Sequence, residues 1–225
     1  PGSGGKDSSF TSHYLKTEMG MNPLTVTWAP HIYTKNGWEN FQAWINIGGF
    51  DNYLIHPNGE VHRRLTNLAF KKLGHPFQPF IIGQRMVGPR MSILHNIPLV
   101  FYGENQAEYG NPIADNHSAQ MDKSFYTFNN IDNLFLGGVP VKELKERYNF
   151  KIADLLPFLP PAPGEYKKGP DIQYHYLGYY EKWIPQEVYY YAVENTGFKA
   201  RPFRSQGTYS KYSSIDDKID DLHYY

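Results

Sequence analysis

The chain reads Pro1-Gly2-Ser3-Gly4-Gly5-Lys6-Asp7-Ser8-Ser9 at its start, and the architecture follows from how this run is read. Three glycines within four positions leave little side chain in the way, so the backbone can turn sharply and its amides can approach a ligand closely. A helix-compatible run, Phe10 to Met19, follows. A glycine-rich turn that opens a helix is an anion site, because N–H groups and the helix dipole both point at the ligand. It is not a Walker A loop, which needs Gly-x-x-x-x-Gly-Lys followed by Ser or Thr; here Lys6 precedes Asp7. A flexible glycine-rich terminus shares the composition but not the helical pattern behind it.

The elements downstream alternate. A helix is expected from Asp7 to Met19, with Phe10, Tyr14 and Leu15 on one face and Gly20 as its stop. Pro23 to Trp28 reads as a buried strand rich in β-branched residues. Trp38, Phe41, Trp44 and Ile45 read as an amphipathic helix ended by Gly48-Gly49. Asp51 to His56 is a short strand, Glu60 to Leu73 a helix closed by Gly74, and Arg85 to His95 a helix interrupted by Gly88-Pro89. Ile97 to Tyr102 is a strand, and Gly103-Glu104-Asn105 follows its carboxyl end. This alternation predicts an α/β fold, a parallel twisted sheet with flanking crossover helices. Ligands in such sheets sit outside the carboxyl ends of the strands. Residues 3–9, the segment after Trp28 and Gly103-Glu104-Asn105 should therefore meet at one edge.

Residues 1–110 are expected to form this core, and residues 111–225 a C-terminal arm or cap that completes the site. Beyond Gly110 the pattern is weaker. Val139 to Tyr148 and Pro185 to Asn195 read as helices, Ile172 to Tyr180 as a tyrosine-rich strand, and Asp216 to Leu222 as the start of a further helix. The prolines between Pro157 and Pro163 argue against a helix there. The 19 tyrosines cluster late and suit a half-wet packing surface.

Composition narrows the function. Basic and acidic residues balance at 22 each, so no basic field points to nucleic acid. No run approaches the roughly 18 apolar residues of a membrane helix. There is no cysteine, hence no disulfide and no cysteine-ligated zinc. The lack of a strand before the loop and of a cap at Tyr225 reads as a piece of a longer, cytoplasmic protein.

The order Ser3-Gly4-Gly5-Lys6-Asp7-Ser8 resembles the pyrophosphate loop of the ATP pyrophosphatase superfamily, Ser-Gly-Gly-x-Asp-Ser, whose fold is adenine nucleotide alpha hydrolase-like. Later blocks are similar to the bacterial N-acetyl sugar amidotransferases of O-antigen and pseudaminic acid biosynthesis. These are His75 to Phe80, Asn96 to Asn105, Glu108-Tyr109-Gly110, Gly207 to Tyr212, Asp216 to Asp220 and His223-Tyr224-Tyr225. The family carries a cysteine-containing segment before the loop, which this sequence lacks, and Phe77 stands where a cysteine is expected.

The resemblance implies a reaction. ATP adenylates the oxygen of a sugar N-acetyl group, ammonia replaces that oxygen to give an acetamidino group, and AMP and pyrophosphate leave. It implies ATP and Mg²⁺ as cofactors, a glutaminase subunit that supplies ammonia, and a cyclase-like barrel subunit. The backbone amides of Gly4, Gly5 and Lys6 and the hydroxyls of Ser3, Ser8 and Ser9 can cradle pyrophosphate. Asp7, an anion, needs Mg²⁺ between itself and phosphate. Gly103, Glu104 and Asn105 border the nucleotide. Glu104 falls where asparagine synthetases carry Gly-Glu-Gly-Ala-Asp-Glu; Ala107 replaces that aspartate, so the metal role either moves to Glu108 or is lost. Lys211 is the expected tail cation on the phosphates, with Arg204 beside it and Arg90 a lesser choice. His31 and His56 lie near strand ends from which a sugar could be met. Two other classes share the loop: a tRNA-modifying pyrophosphatase, which the absent cysteines and balanced charge disfavour, and a nucleotide-binding module without catalysis.

Overall fold

In a computed structural model the chain is a mixed α/β protein with small parallel sheets and more helix than strand. The structure describes residues 1–103, 117–220 and 222. The chain divides into two compact units, each discontinuous in sequence. The first holds Pro1–Leu54, Phe101–Met121 and Tyr174–Tyr225, and the second holds Ile55–Val100 and Asp122–Gln173.

The first unit is built on α1 (Lys6–Thr17), β1 (Thr25–Trp28), α2 (Lys35–Gly48) and β2 (Asn52–Ile55). Every residue of β1 is buried, as its β-branched run predicts. β1 and β2 pair as a two-stranded sheet. Side chains reinforce the pairing: Asn52 donates to the hydroxyls of Thr25 (2.9 Å) and Thr27 (3.2 Å), and Thr25 donates to the Asp51 carbonyl (2.8 Å). Beyond the other edge of β1, the Gly2 amide donates to the Val26 carbonyl at 2.9 Å.

The N-cap of α2 is Thr34, whose hydroxyl accepts from the Gly37 amide. Its C-cap is Gly49 at φ 64°, the left-handed conformation glycine adopts without penalty. The apolar face of α2 buries Phe41 and Trp44 against Phe50, worth about 2–3 kcal/mol for each large ring. The Trp44 indole donates to Ser12 Oγ at 2.7 Å and ties α2 to α1.

β3 (Leu99–Tyr102) pairs with β6 (Gln173–Tyr176), whose tyrosines alternate into the core. α8 (Pro185–Thr196) starts on proline, as a first helical turn tolerates, and ends at Gly197. It packs along α1 through the edge of Phe10 against Tyr191, with centroids 5.0 Å apart. Asn40, 1% exposed, then clamps the chain beyond α8: it accepts from the Lys199 amide (2.8 Å) and donates to the Lys199 carbonyl (3.0 Å). The remaining tail is irregular. The helix expected from Asp216 does not start there: among the described residues only Asp220 and Leu222 are 3₁₀, because Asp217 pairs with Tyr33 in an antiparallel bridge and its carboxylate gathers the amides of His31, Ile32 and Ile219. A side chain that collects amides in this way competes with a helical ladder.

The second unit contains α3 (Gly59–Leu73), α4 (Gln78–His95), the hairpin β4 (Phe135–Leu136) and β5 (Val139–Pro140), α5 (Val141–Glu146), α6 (Ile152–Leu155) and α7 (Pro163–Lys168). Leu65, Leu136, Leu144, Leu155 and Phe158 are fully buried in it. Gly137 and Gly138, at φ 66° and 75°, make the tight turn between β4 and β5. Two expectations differ here. α4 begins seven residues before Arg85, with Pro79 in its first turn, and runs through Gly88-Pro89. The proline-rich run holds a 3₁₀ turn, Leu156–Phe158, and starts α7 on Pro163. Among the described residues no helix is long and apolar enough to cross a membrane.

Candidate functional site

The glycine-rich run forms a tight loop at the start of α1, inside the first unit. Gly4 has φ 85°, and a Cβ on it would come 2.7 Å from Phe41 Cα. Only glycine satisfies both the backbone angle and that approach to α2. Gly5, the N-cap of α1, is different. Its φ is −66°, and a Cβ there would meet only Ser3 Oγ at 3.4 Å and Asp216 Oδ2 at 3.7 Å. Gly5 therefore has room for a Cβ at ordinary contact distance from Ser3 and Asp216, and no side chain caps the helix there.

The serine hydroxyls organise the loop. Ser8 Oγ accepts from the Gly4 amide (3.1 Å), Ser3 Oγ accepts from the Gly5 amide (3.3 Å), and Ser9 donates to the Gly4 carbonyl (3.3 Å). Lys6 is buried, its ammonium bonded to the Asp7 carboxylate and 5.8 Å from the centre of the Tyr212 ring. Gly103 packs onto this loop: a Cβ there would stand 2.7 Å from the Pro1 carbonyl and 2.8 Å from Ser8 Cβ. The carboxyl end of β3 thus meets the loop, but β1 and β3 belong to separate two-stranded sheets and not to the one parallel sheet expected. Glu104, Asn105 and Glu108 lie outside the described residues.

The tail closes the site from above 200 residues away in sequence. Ser3 donates to Asp216 Oδ2 at 2.6 Å. The Asp216 backbone is fixed by the Thr34 amide on its carbonyl (3.0 Å), by the Lys218 amide on the Ile32 carbonyl (2.9 Å), and by Gly37, where a Cβ would stand 2.6 Å from Asp216 Cα. Burial pushes the Asp216 carboxyl up to about 6, against the Ser3 hydrogen bond that favours its charged form; the Asp217 and Asp7 charges push the same way as burial, and Arg201 opposes them. Asp216 Oδ1 is shut off from solvent and has no hydrogen-bond partner among the described residues, and the same holds for the Tyr33 hydroxyl. Burial, then the charges of Asp216 and Asp217, raise the Tyr33 phenol.

Asp217 behaves in the opposite sense. Burial acts to raise it, but the hydrogen bond and charge of His31, 2.9 Å away, outweigh burial and hold it below the ordinary carboxylate range. Asp220, which accepts from the Asp217 amide at 3.0 Å, is pushed up to about 7 by burial.

Of the residues picked out by sequence, the structure brings together Ser3, Gly4, Gly5, Lys6, Asp7, Ser8, Ser9 and Gly103. Lys211 is exposed, directly before the Tyr212 ring that lies over Lys6, and its carbonyl accepts from the Arg201 amide (2.8 Å). Arg204 is exposed and lies over Tyr209. His31 is engaged by Asp217. In the second unit His56 is exposed, and Arg90 donates to the carbonyls of Leu156 and Leu159. The sequence reading assigned no role to Asp216, Arg201 or Tyr33. The only signal was that Asp216 lay in a block already noted for its family likeness; Arg201 and Tyr33 carried none.

The chain matches no protein-family model. No curated protein matches it in sequence.

Proposed function

We propose that this chain carries the core of an ATP pyrophosphatase-type amidotransferase, acting on the N-acetyl group of a bacterial surface sugar. The observation that supports this most is the Ser3–Ser9 loop. It is glycine-dependent at Gly4, open at Gly5, set on the N-terminus of a 12-residue helix and bordered by Gly103 at a strand end. That arrangement suits a polyanionic leaving group such as pyrophosphate better than a neutral ligand.

In this reading the acetyl oxygen attacks the α-phosphorus of ATP, the bond to the β-phosphate oxygen breaks, and pyrophosphate leaves. The amide of Lys6, and those of Gly4 and Gly5 once they turn from the Ser8 and Ser3 hydroxyls that now accept them, would hold the charge that develops on it. Ammonia then attacks the acetyl carbon, AMP leaves with the former acetyl oxygen, and a proton is lost to give the acetamidino group. Lys6, now folded on Asp7, and Lys211, exposed and next in sequence to the Tyr212 ring beside Lys6, are the two cations this reading assigns to the phosphates. Among the described residues no group of three or more histidine, aspartate or glutamate side chains could hold a metal alone. Mg²⁺ commonly takes one or two carboxylates and completes its shell with phosphate oxygens and water, which Asp7 fits. When bound, Mg²⁺ would neutralise charge on the departing pyrophosphate. Ammonia would come from a glutaminase subunit associated with a cyclase-like barrel subunit, in the cytoplasm.

The test is incubation of the protein with ATP, ammonium and a panel of N-acetyl sugars and their nucleotide conjugates, read by mass spectrometry. An acetamidino product with equimolar AMP supports the reading. Pyrophosphate release that responds to tRNA and to no sugar would replace it with a tRNA-modifying activity.

A further inference from the structure

The loop presents a contradiction that its own chemistry does not resolve. A site that gathers amides for an anion has a carboxylate, Asp216, fixed directly over it. Oδ2 of Asp216 takes the Ser3 hydroxyl at 2.6 Å and lies 3.7 Å from the place a Cβ on Gly5 would occupy. The carboxylate is not on a swinging arm. Backbone bonds to residues 32–34 and the close contact with Gly37 hold it. An anion entering this loop would meet a negative charge at short range, which disfavours binding unless a cation enters with it.

The remaining oxygen points to what that cation does. Asp216 Oδ1 is inaccessible to solvent and has no hydrogen-bond partner among the described residues. A buried carboxylate oxygen left without a donor is costly, and a hard metal ion satisfies it as well as a donor does. Asp7 is near enough for its charge to act on Asp216.

We propose that Asp216 is a direct ligand, together with Asp7, of a divalent cation that enters bound to the pyrophosphate portion of a nucleoside triphosphate. The inference rests on the loop binding pyrophosphate, as proposed above. It assigns the second carboxylate of the metal site to the C-terminal tail, so the tail completes the site chemically as well as covering it. Asp216 Oδ1 supplies the metal bond while Oδ2 keeps the Ser3 hydroxyl in place.

The experiment uses Mn²⁺ as a paramagnetic stand-in: the protein is dialysed to equilibrium against Mn²⁺ and inorganic pyrophosphate, and the Mn²⁺ in excess on the protein side, read by electron paramagnetic resonance after acid release, is the uptake. Wild type should take up Mn²⁺ only when pyrophosphate is present. Asp216→Asn should weaken that uptake roughly tenfold or more, while metal-free pyrophosphate binds as well as or better than in wild type, because a negative charge has gone. Tyr33→Phe, which removes a buried hydroxyl beside Asp216 and leaves the carboxylate, should keep Mn²⁺ uptake within about threefold; this variant guards against a local packing fault passing for lost ligation. Equal Mn²⁺ uptake by wild type and Asp216→Asn overturns the inference alone, as does a loss in Tyr33→Phe as large as in Asp216→Asn. Failure of wild type to bind pyrophosphate with or without Mn²⁺ overturns the pyrophosphate reading of the loop as well.

Discussion

Gly4→Ala and Gly5→Ala separate the fold of the loop from its function. Gly4 sits at φ 85°, and a non-glycine residue there costs about 1–2 kcal/mol. The added methyl would also press to 2.7 Å from Phe41 Cα, 3.0 Å from Phe41 N and 3.2 Å from the Asn40 carbonyl. These are backbone atoms of α2, held by the burial of Phe41 and Trp44, and cannot step aside as a flexible side chain would. Forcing them apart costs about 1–3 kcal/mol more. The total, about 3 kcal/mol, corresponds to a fall in melting temperature of roughly 6–12 °C for a chain of this size. Gly5→Ala meets no backbone closer than ordinary contact and keeps an accessible φ of −66°. It should melt within about 2 °C of wild type, or slightly above, since alanine restricts the unfolded chain. Its methyl nevertheless projects toward Asp216 Oδ2, into the space assigned to pyrophosphate, so binding should weaken although the fold does not. Calorimetric melting of both variants, with pyrophosphate titrated into each, is the assay. A Gly4→Ala protein that melts with wild type, or a Gly5→Ala protein as destabilised as Gly4→Ala, would refute the reasoning.

Three further outcomes are expected. Asp220 has its folded carboxyl raised to about 7, so its proton is held while the unfolded chain gives it up near pH 4; the resulting destabilisation grows through that window and is complete above pH 7. Asp220→Asn should therefore stabilise the protein at pH 8, by up to about 4 kcal/mol, and change little at pH 4, measured as urea midpoints. Asp7→Asn should abolish ATP-dependent pyrophosphate release in a protein with an unchanged circular dichroism spectrum; normal turnover would remove its metal role. Lys211→Ala should lower turnover about a hundredfold with a smaller change in apparent ATP affinity, the mark of a cation that acts on the transition state.

What the sequence disclosed follows the range of the interactions involved. α1, β1, α2, β2, α3 and α8 begin and end within a few residues of their expected positions, because caps, stops and periodicity are local. Thr34, Gly49, Asn58, Gly74 and Gly197 are each a boundary written in one residue. α4 extends seven residues before the expected Arg85, because Pro79 is a helix start and Gly88-Pro89, which suggests a break, is carried inside the helix. The loop was legible for the same local reason. The Ser3–Asp216 bond, between residues 213 apart, was not. Nor was the fate of Asp216–Leu222, whose helical pattern gives way to a bridge with Tyr33 and to amides gathered by Asp217. A local pattern cannot show which of two hydrogen-bonding solutions the distant partner selects.

The central claim is that ATP is spent on the acetyl oxygen of a sugar, and the fate of that oxygen tests it most directly. N-acetyl sugars labelled with ¹⁸O in the acetyl carbonyl, incubated with the protein, ATP and ammonium, should yield AMP carrying the label, pyrophosphate free of it, and an acetamidino sugar that has lost it. Unlabelled AMP, or cleavage of ATP to ADP and phosphate, would contradict the account.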